Sequence, residues 1–167
     1  TAAHVDFEQV FDAFARKGGP EPRAAAERFW TRMADEDLAD YTRLCIPLYG
    51  CRPPADPDKA SRAIVNAEVM RHFARSPGEF RAMDFRPRLR VARCPVLVLS
   101  GVDDPITPPA FSEEIARSLP ANLAELRLFK GCGHGAYLDE PAQVWPIVRE
   151  WIGRIARARP SCAMIAT

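Results

Sequence analysis

A continuous apolar run, PVLVLSG at residues 95–101, constrains the fold of this chain more than any other feature. The run has the length of one β-strand and is bounded by Pro95 and Gly101. Such a run is typical of a strand that is buried on both faces of a parallel sheet. Because parallel strands need a crossover connection, helices should alternate with strands here.

The sequence after this strand fits that expectation. Thr107 is predicted to cap a helix that begins at Pro108 or Pro109, because proline fits the first helical position. AELRLF, residues 124–129, is predicted as the second strand. Residues 89–157 therefore predict an α/β fold, with a parallel βαβα unit.

The last helix of this unit contains a proline at an awkward position. If the helix begins at Pro141, Pro146 removes one of its backbone hydrogen bonds. We therefore predict either a broken first turn or a start nearer Pro146. Residues 158–167 are predicted to be a fraying tail.

Residues 1–88 follow a different pattern, with helical apolar spacing and frequent proline and glycine breaks. Four helices are predicted: one capped by Asp6 and ended by Gly18 and Gly19, and others at about 22–34, 35–44 and 58–75. This half of the chain is predicted to be helical.

Composition excludes few function classes. The 23 basic and 22 acidic residues give a formal charge of +1, so no nucleic-acid partner is expected. No apolar run has the length of a membrane span, so no membrane partner is expected either. Five cysteines without close pairing favour a reducing compartment, and we expect a cytoplasmic protein without a metal site or a cofactor.

Titratable residues follow both predicted strands. Asp103 and Asp104 follow the first, in GVDDPITPP (residues 101–109, the acid turn), and His134 follows the second, in GCGHG (residues 131–135, the histidine loop). Carboxyl ends of parallel strands meet at one sheet edge, where catalytic groups gather. A carboxylate that orients an imidazole makes it a general base, so a catalytic pair is predicted, with Asp103 as the alternative acid.

These motifs resemble the C-terminal part of the α/β-hydrolase fold, whose triad follows the order Ser, Asp, His. The acid turn is similar to the family's Gly-x-x-Asp turn, and GCGHGAYLDEP to its Gly-x-Gly-His turn. The resemblance implies that Asp104 is the acid and His134 the base. It also implies that residues 1–88 form a helical cap, and FKGCGH is most similar to the proline iminopeptidase branch.

The family's nucleophile elbow, early strands and oxyanion-hole loop have no counterpart in this sequence. No serine lies in a Gly-x-Ser-x-Gly elbow, and Ser100 is interpreted as structural. We therefore expect a C-terminal fragment or subunit, with a complementary N-terminal segment that supplies the serine. Such a chain should have poor stability alone, because two strands leave exposed edges. Thr1 as an N-terminal nucleophile is a weaker hypothesis.

The resemblance implies hydrolysis of a small ester or amide, with an aminopeptidase of the proline iminopeptidase type as the leading hypothesis. Cap acids would bind the substrate amino group, and aromatic residues would line its pocket; solvated faces and core packing are the alternatives. The candidates are the acids Glu68, Glu79 and Asp84 and the aromatic residues Phe29, Trp30 and Tyr49. Esterase or lactonase activity is an alternative, and so is a non-catalytic relative that serves as an interaction chain.

Overall fold

The structure, a computed structural model, describes residues 2–53, 66–75 and 78–158, together with the single positions 56, 58, 62 and 64. Its helices and strands in the described residues are α1 (Phe7–Gly18), α2 (Pro20–Arg32), α3 (Asp35–Leu44), α4 (Ala67–Ala74), α5 (Glu79–Ala82), α6 (Arg86–Leu89), β1 (Val96–Gly101), α7 (Pro109–Ser118), β2 (Ala124–Phe129), α8 (Ala136–Asp139) and α9 (Pro141–Ala158). A short 3₁₀ turn, Ile46–Leu48, follows α3.

The two strands pair in parallel, as the apolar run predicts. The register places Val96 opposite Ala124 and Gly101 opposite Phe129. Side chains alternate across the sheet, so α7 packs against one face through Ile115 and α9 packs on the other face through Val144. Within the described residues the sheet has these two strands.

Helices α1 to α3 each bury one face, and α1 is also capped by a side chain. The Asp6 carboxylate accepts hydrogen bonds from the amides of Glu8 and Gln9 at 3.0 and 3.4 Å, which confirms the predicted cap of α1. The third helix is confirmed at its predicted bounds, and it carries three acids in its first turn.

One predicted helix start and one predicted helix cap are wrong. The second helix begins at Pro20 and not Pro22, because Gly19 already serves as its N-cap and proline suits the first position. Thr107 does not cap α7, whose N-cap position is Pro108. The Thr107 hydroxyl instead donates to the carboxylate of Asp104.

The last helix is continuous from Pro141 to Ala158, with Pro146 inside it, so the predicted broken turn or later start is wrong. Val144 is almost fully buried in a core with Ile147 and Val148 on its margin. This packing holds the first turns in place although Pro146 has no amide hydrogen to donate. The helix predicted at 58–75 is confirmed over Ala67–Ala74, but its predicted start at Asp58 is wrong, because Asn66 is the extended N-cap of α4 and its side chain accepts from the Val69 amide at 3.0 Å. Residues 59–61, 63 and 65 of the predicted range lie outside the described residues.

The largest apolar core joins the two halves of the chain. It contains Phe11, Phe14 and Phe29 from the first helices, and Phe111 from α7 packs into the same cluster. The fold therefore fixes the first helices against the α/β part through buried aromatic side chains. Among the described helices, none is both long enough and apolar enough to cross a membrane.

Replacing Phe14 should destabilise the fold strongly. Its side chain is fully buried, so Phe14→Ala removes apolar contacts and leaves a cavity, which costs about 3–5 kcal/mol of unfolding free energy. Phe85→Ala is the matched control, because Phe85 is 48% exposed and should lose about 1 kcal/mol or less. Urea denaturation measures both, and equal losses would contradict this assignment of the core.

Candidate functional site

The acid turn meets the histidine loop at the ends of the two strands. The amide of Val102 donates to the carbonyl of Phe129 at 2.9 Å, and that of Asp103 donates to the carbonyl of Cys132 at 2.9 Å. A Cβ on Gly101 would lie 2.2 Å from the Cys132 carbonyl oxygen. Glycine is therefore required where the two loops approach each other.

Asp104 and His134 are in direct contact. The His134 Nδ1 lies 3.0 Å from Asp104 Oδ2. A carboxylate only accepts hydrogen bonds, so this contact needs a proton on Nδ1 and leaves Nε2 as the nitrogen that can take a proton from another group. The Asp104 side chain is 5% exposed and the His134 side chain 41%, so the carboxylate is buried behind a more accessible imidazole.

Four hydrogen bonds hold the Asp104 carboxylate. Besides His134, the Thr107 hydroxyl donates to Oδ2 at 2.7 Å, and the amides of Ile106 and Thr107 donate to Oδ1 at 2.8 and 2.9 Å. Burial raises the pKa of Asp104, but the hydrogen bonds from His134 and Thr107 outweigh it, so its pKa is lowered. The carboxylate is therefore ionised at neutral pH.

Asp103, the alternative acid, faces a different partner. Its Oδ2 accepts from the amide of Gly131 at 3.1 Å, and its carbonyl accepts from Lys17 Nζ at 2.8 Å. The side chain of Asp103 thus bonds to the backbone at the start of the histidine loop. The structure brings Asp104, and not Asp103, to His134.

Tyr49 lies against the histidine. The His134 amide donates to the Tyr49 carbonyl at 2.6 Å, and the two rings meet edge to face with centroids 5.6 Å apart. The Tyr49 hydroxyl is 2.6 Å from that of Tyr41, which accepts from Trp30 Nε1 at 3.1 Å. Burial raises the pKa of Tyr49 to about 12, so its hydroxyl is neutral at physiological pH.

The other aromatic candidates belong to the helical core. Phe29 is buried and stacks on Tyr41 with ring centroids 4.5 Å apart. Trp30 also lines an apolar cavity of about 130 Å³, and Thr107 lines the same cavity. Trp30 is therefore linked to the acid turn, but it does not line the cavity around His134.

The acidic candidates lie away from the imidazole. Glu68 is exposed on α4 and lines a surface pocket formed by that helix and Arg75. Glu79 begins α5, and Asp84 forms an ion pair with Arg86 at 2.6 Å. None of these acids lines the cavity around His134. Thr1 lies outside the described residues.

A cavity of about 320 Å³ opens beside Asp104 and His134. It is lined by Leu99, Ser100, Gly101, Asp104, His134, Gly135, Ala136, Tyr137 and Val144. The titratable carboxylate and imidazole thus face a space whose other walls are mostly apolar or backbone. In the described part of the chain, no group of three or more His, Cys, Asp or Glu residues is arranged to hold a metal ion.

Three contributors to this region were not predicted from sequence. Thr107 bonds to the acid, Lys17 joins α1 to the acid turn, and Asp139 accepts from the backbone of the histidine loop. Thr107 follows Asp104 by three positions, a spacing at which a hydroxyl can reach a carboxylate in a turn. Nothing local in the sequence marks Lys17 or Asp139, because their partners are distant along the chain.

Comparison with known proteins gives one family match and several distant relatives. The model of the Alpha/beta hydrolase family matches residues 4–147. A proline iminopeptidase from Lactobacillus delbrueckii subsp. bulgaricus is 32% identical over 77 residues, which is 45% of this chain and 24% of that protein. The enzyme of that name from Lactobacillus helveticus is 27% identical over the same length. The match thus spans about a quarter of these relatives' length.

Solved structures show the same fold. An alpha/beta fold family hydrolase from Bacillus anthracis superposes with a TM-score of 0.58 at 16% identity, over 89% of this chain and 55% of that one. A thermophilic esterase from Thermogutta terrifontis gives a TM-score of 0.52 at 23% identity, over 92% of this chain and 53% of that one. At these identities the likeness concerns the fold alone.

Thr107→Val should weaken the fold in a pH-dependent way. Because the pKa of Asp104 is lowered, its ionised form contributes stability above the unfolded pKa of about 3.9, and this is lost as pH falls through the lower folded value. Removing the hydroxyl donor should raise the pKa of Asp104 and cost about 2 kcal/mol at pH 7.

Urea denaturation at pH 7 and pH 3 tests this prediction. The difference between wild type and Thr107→Val should be smaller at pH 3 than at pH 7, because the stability that the ionised Asp104 contributes begins to be lost below the unfolded pKa of about 3.9. Thr107→Ser keeps the hydroxyl and should stay close to wild type. A difference of equal size at both pH values would contradict an effect that depends on the ionised carboxylate.

Proposed function

Because the chain belongs to the alpha/beta hydrolase family, we propose that it supplies the acid and the base of a serine hydrolase acting on a small ester or amide. The observation that carries the proposal is the 3.0 Å contact between His134 Nδ1 and the buried Oδ2 of Asp104. In this proposal His134 is the general base and Asp104 orients it.

The mechanism follows from the protonation states. Asp104 accepts a hydrogen bond from Nδ1–H and stays ionised, which holds the neutral imidazole with its lone pair on Nε2. Nε2 takes the proton of the attacking serine hydroxyl, and the buried carboxylate stabilises the imidazolium that forms. His134 then returns the proton to the leaving group as the ester or amide bond breaks, and the acyl group stays on the serine. Water that gives a proton to the same imidazole then releases the acyl group as the acid and restores the serine hydroxyl.

The nucleophile would come from a complementary segment that carries the serine elbow. In this proposal the serine would lie in the cavity beside His134, which borders β1 through Leu99, Ser100 and Gly101. Ser100 itself is buried in β1, and its hydroxyl donates to the Gly101 carbonyl at 3.3 Å. We use the term assembled hydrolase for this chain together with the segment that supplies the serine.

The proposed substrate class is an N-terminal aminoacyl or prolyl group in a small amide or short peptide. Its support is the similarity to proteins named proline iminopeptidase, which covers 77 residues. Simple esters are the second candidate, because a base oriented by a carboxylate serves ester hydrolysis as well as amide hydrolysis and the fold does not choose between them. A non-catalytic role as an interaction chain is the alternative to both.

Substitutions in the assembled hydrolase test the roles of the pair. His134→Ala and Asp104→Asn should each lower kcat by at least about 10³-fold, because the base or its orienting charge is lost. Asp103→Asn and Ser100→Ala are matched controls and should retain activity within a few-fold. Assays with proline β-naphthylamide and a p-nitrophenyl ester measure the effects and compare the two substrate classes.

The outcomes separate the candidate functions. Greater kcat/KM for proline β-naphthylamide supports the aminopeptidase, and greater kcat/KM for the ester supports the esterase. Activity that survives His134→Ala within a few-fold would contradict the role of the base. Absence of both activities in an assembled hydrolase would favour the non-catalytic alternative.

A further inference from the structure

We propose that Asp139 is a positioning residue for His134, a role that rests on the proposed hydrolase function. Asp139 ends the short helix α8 and is only 6% exposed. It lies five positions after His134 and does not touch the imidazole in any contact the structure gives. Its effect must therefore pass through the backbone that it binds.

The carboxylate of Asp139 joins the histidine loop to a distant segment. Its Oδ2 accepts from the amide of Gly133 at 2.7 Å, and its Oδ1 accepts from the amides of Cys51 and Arg52, each at 3.0 Å. The Cys51 amide is also 3.2 Å from Oδ2. One side chain thus binds the residue before the proposed base and two residues more than 80 positions earlier.

A second hydrogen bond runs between the same two segments in the opposite direction. The amide of His134 donates to the carbonyl of Tyr49 at 2.6 Å. A Cβ on Gly133 would lie 2.0 Å from that carbonyl oxygen, so the two backbones are in close contact. The Asp139 carboxylate fixes the amide of Gly133, and the Tyr49 carbonyl fixes the amide of His134. Together they hold the backbone from which the imidazole projects.

The electrostatics favour a dedicated role for this carboxylate. Burying a charge is costly unless hydrogen bonds compensate for it, and here three amide groups do so. In the described residues, no lysine, arginine or histidine forms an ion pair with Asp139 within 4.0 Å. Arg52 pairs instead with the neighbouring Glu140. The Asp139 carboxylate thus accepts hydrogen bonds from backbone amides, which fix its position more strictly than a flexible ion pair would.

The same segment also supplies the ring that packs on the base. Tyr49 meets the His134 imidazole edge to face, so a shift of residues 49–52 would move both the ring and the carbonyl that hold His134. Loss of the Asp139 bonds should release this segment and the histidine loop together. Errors of about 1 Å in the placement of a catalytic group reduce turnover by up to about 10²-fold.

Asp139→Asn in the assembled hydrolase tests the proposal, with Asp37→Asn as the matched control. Asp37 is a similarly buried carboxylate, but it accepts from Arg32 on the surface of the helical half and has no contact with the histidine loop. The primary readout is the NMR signal of the His134 Nδ1 proton, assigned with His134→Ala and followed from pH 5 to pH 9. The second readout is kcat and KM for the preferred substrate.

Asp139→Asn should shift or broaden the Nδ1 proton signal, and kcat should fall roughly 10- to 100-fold while KM changes by less than about threefold. Asp37→Asn should change only the melting temperature. A folded Asp139→Asn variant with the wild-type signal and wild-type kcat would overturn the proposal. If that variant does not fold, Asp139→Glu decides, since it keeps the charge and displaces the oxygens; a wild-type signal and kcat there would also overturn it.

The two readouts separate this inference from the proposed function. The proton signal needs no substrate, so a signal that responds to Asp139→Asn in a protein without hydrolase activity contradicts the proposed function alone. Activity that depends on His134 but not on Asp139 contradicts the positioning role alone.

Discussion

The parallel register of β1 and β2 is the constraint on which the rest of the structure depends. Because Gly101 is opposite Phe129, both strands end at the same edge, and the acid turn and histidine loop begin side by side. Across this edge, the amides of Val102 and Asp103 in the acid turn donate to the carbonyls of Phe129 and Cys132. Shifting the register by one residue would reverse the faces of every side chain and separate Asp104 from His134.

Two buried carboxylates complete the arrangement that the strands begin. Asp104 is held by a hydroxyl, two amides and the imidazole, and Asp139 by three amides. Each carboxylate accepts several hydrogen bonds, and these bonds hold the acid turn and the histidine loop in place. The proposed acid bonds to the imidazole directly, whereas the proposed positioning residue acts on the backbone that carries it.

The helical half contributes to the site through backbone atoms as well as through packing. The Tyr49 carbonyl and the amides of residues 51 and 52 bind the histidine loop, and Lys17 Nζ bonds to the carbonyls of Gly50 and Asp103. Phe111 of α7 enters the core of the first helices. The geometry around His134 therefore depends on contacts between the two halves of the chain, and neither half holds all of them.

Local sequence signals predicted the first strand, the start of the first helix and the two loops that carry the candidate acids and the histidine. The apolar run marked β1, Asp6 marked the start of α1, and the acid turn and histidine loop marked Asp104 and His134, because each of these signals depends on neighbouring residues. The tertiary contacts bring Asp104, and not Asp103, to His134, and they show Thr107 as a partner of Asp104, Lys17 as a partner of the Asp103 carbonyl and Asp139 as a partner of the histidine loop. Helix α9 likewise runs through Pro146 because buried Val144 holds its start. Apart from the bond between Thr107 and Asp104, these outcomes depend on contacts between residues far apart in sequence, which local patterns do not predict.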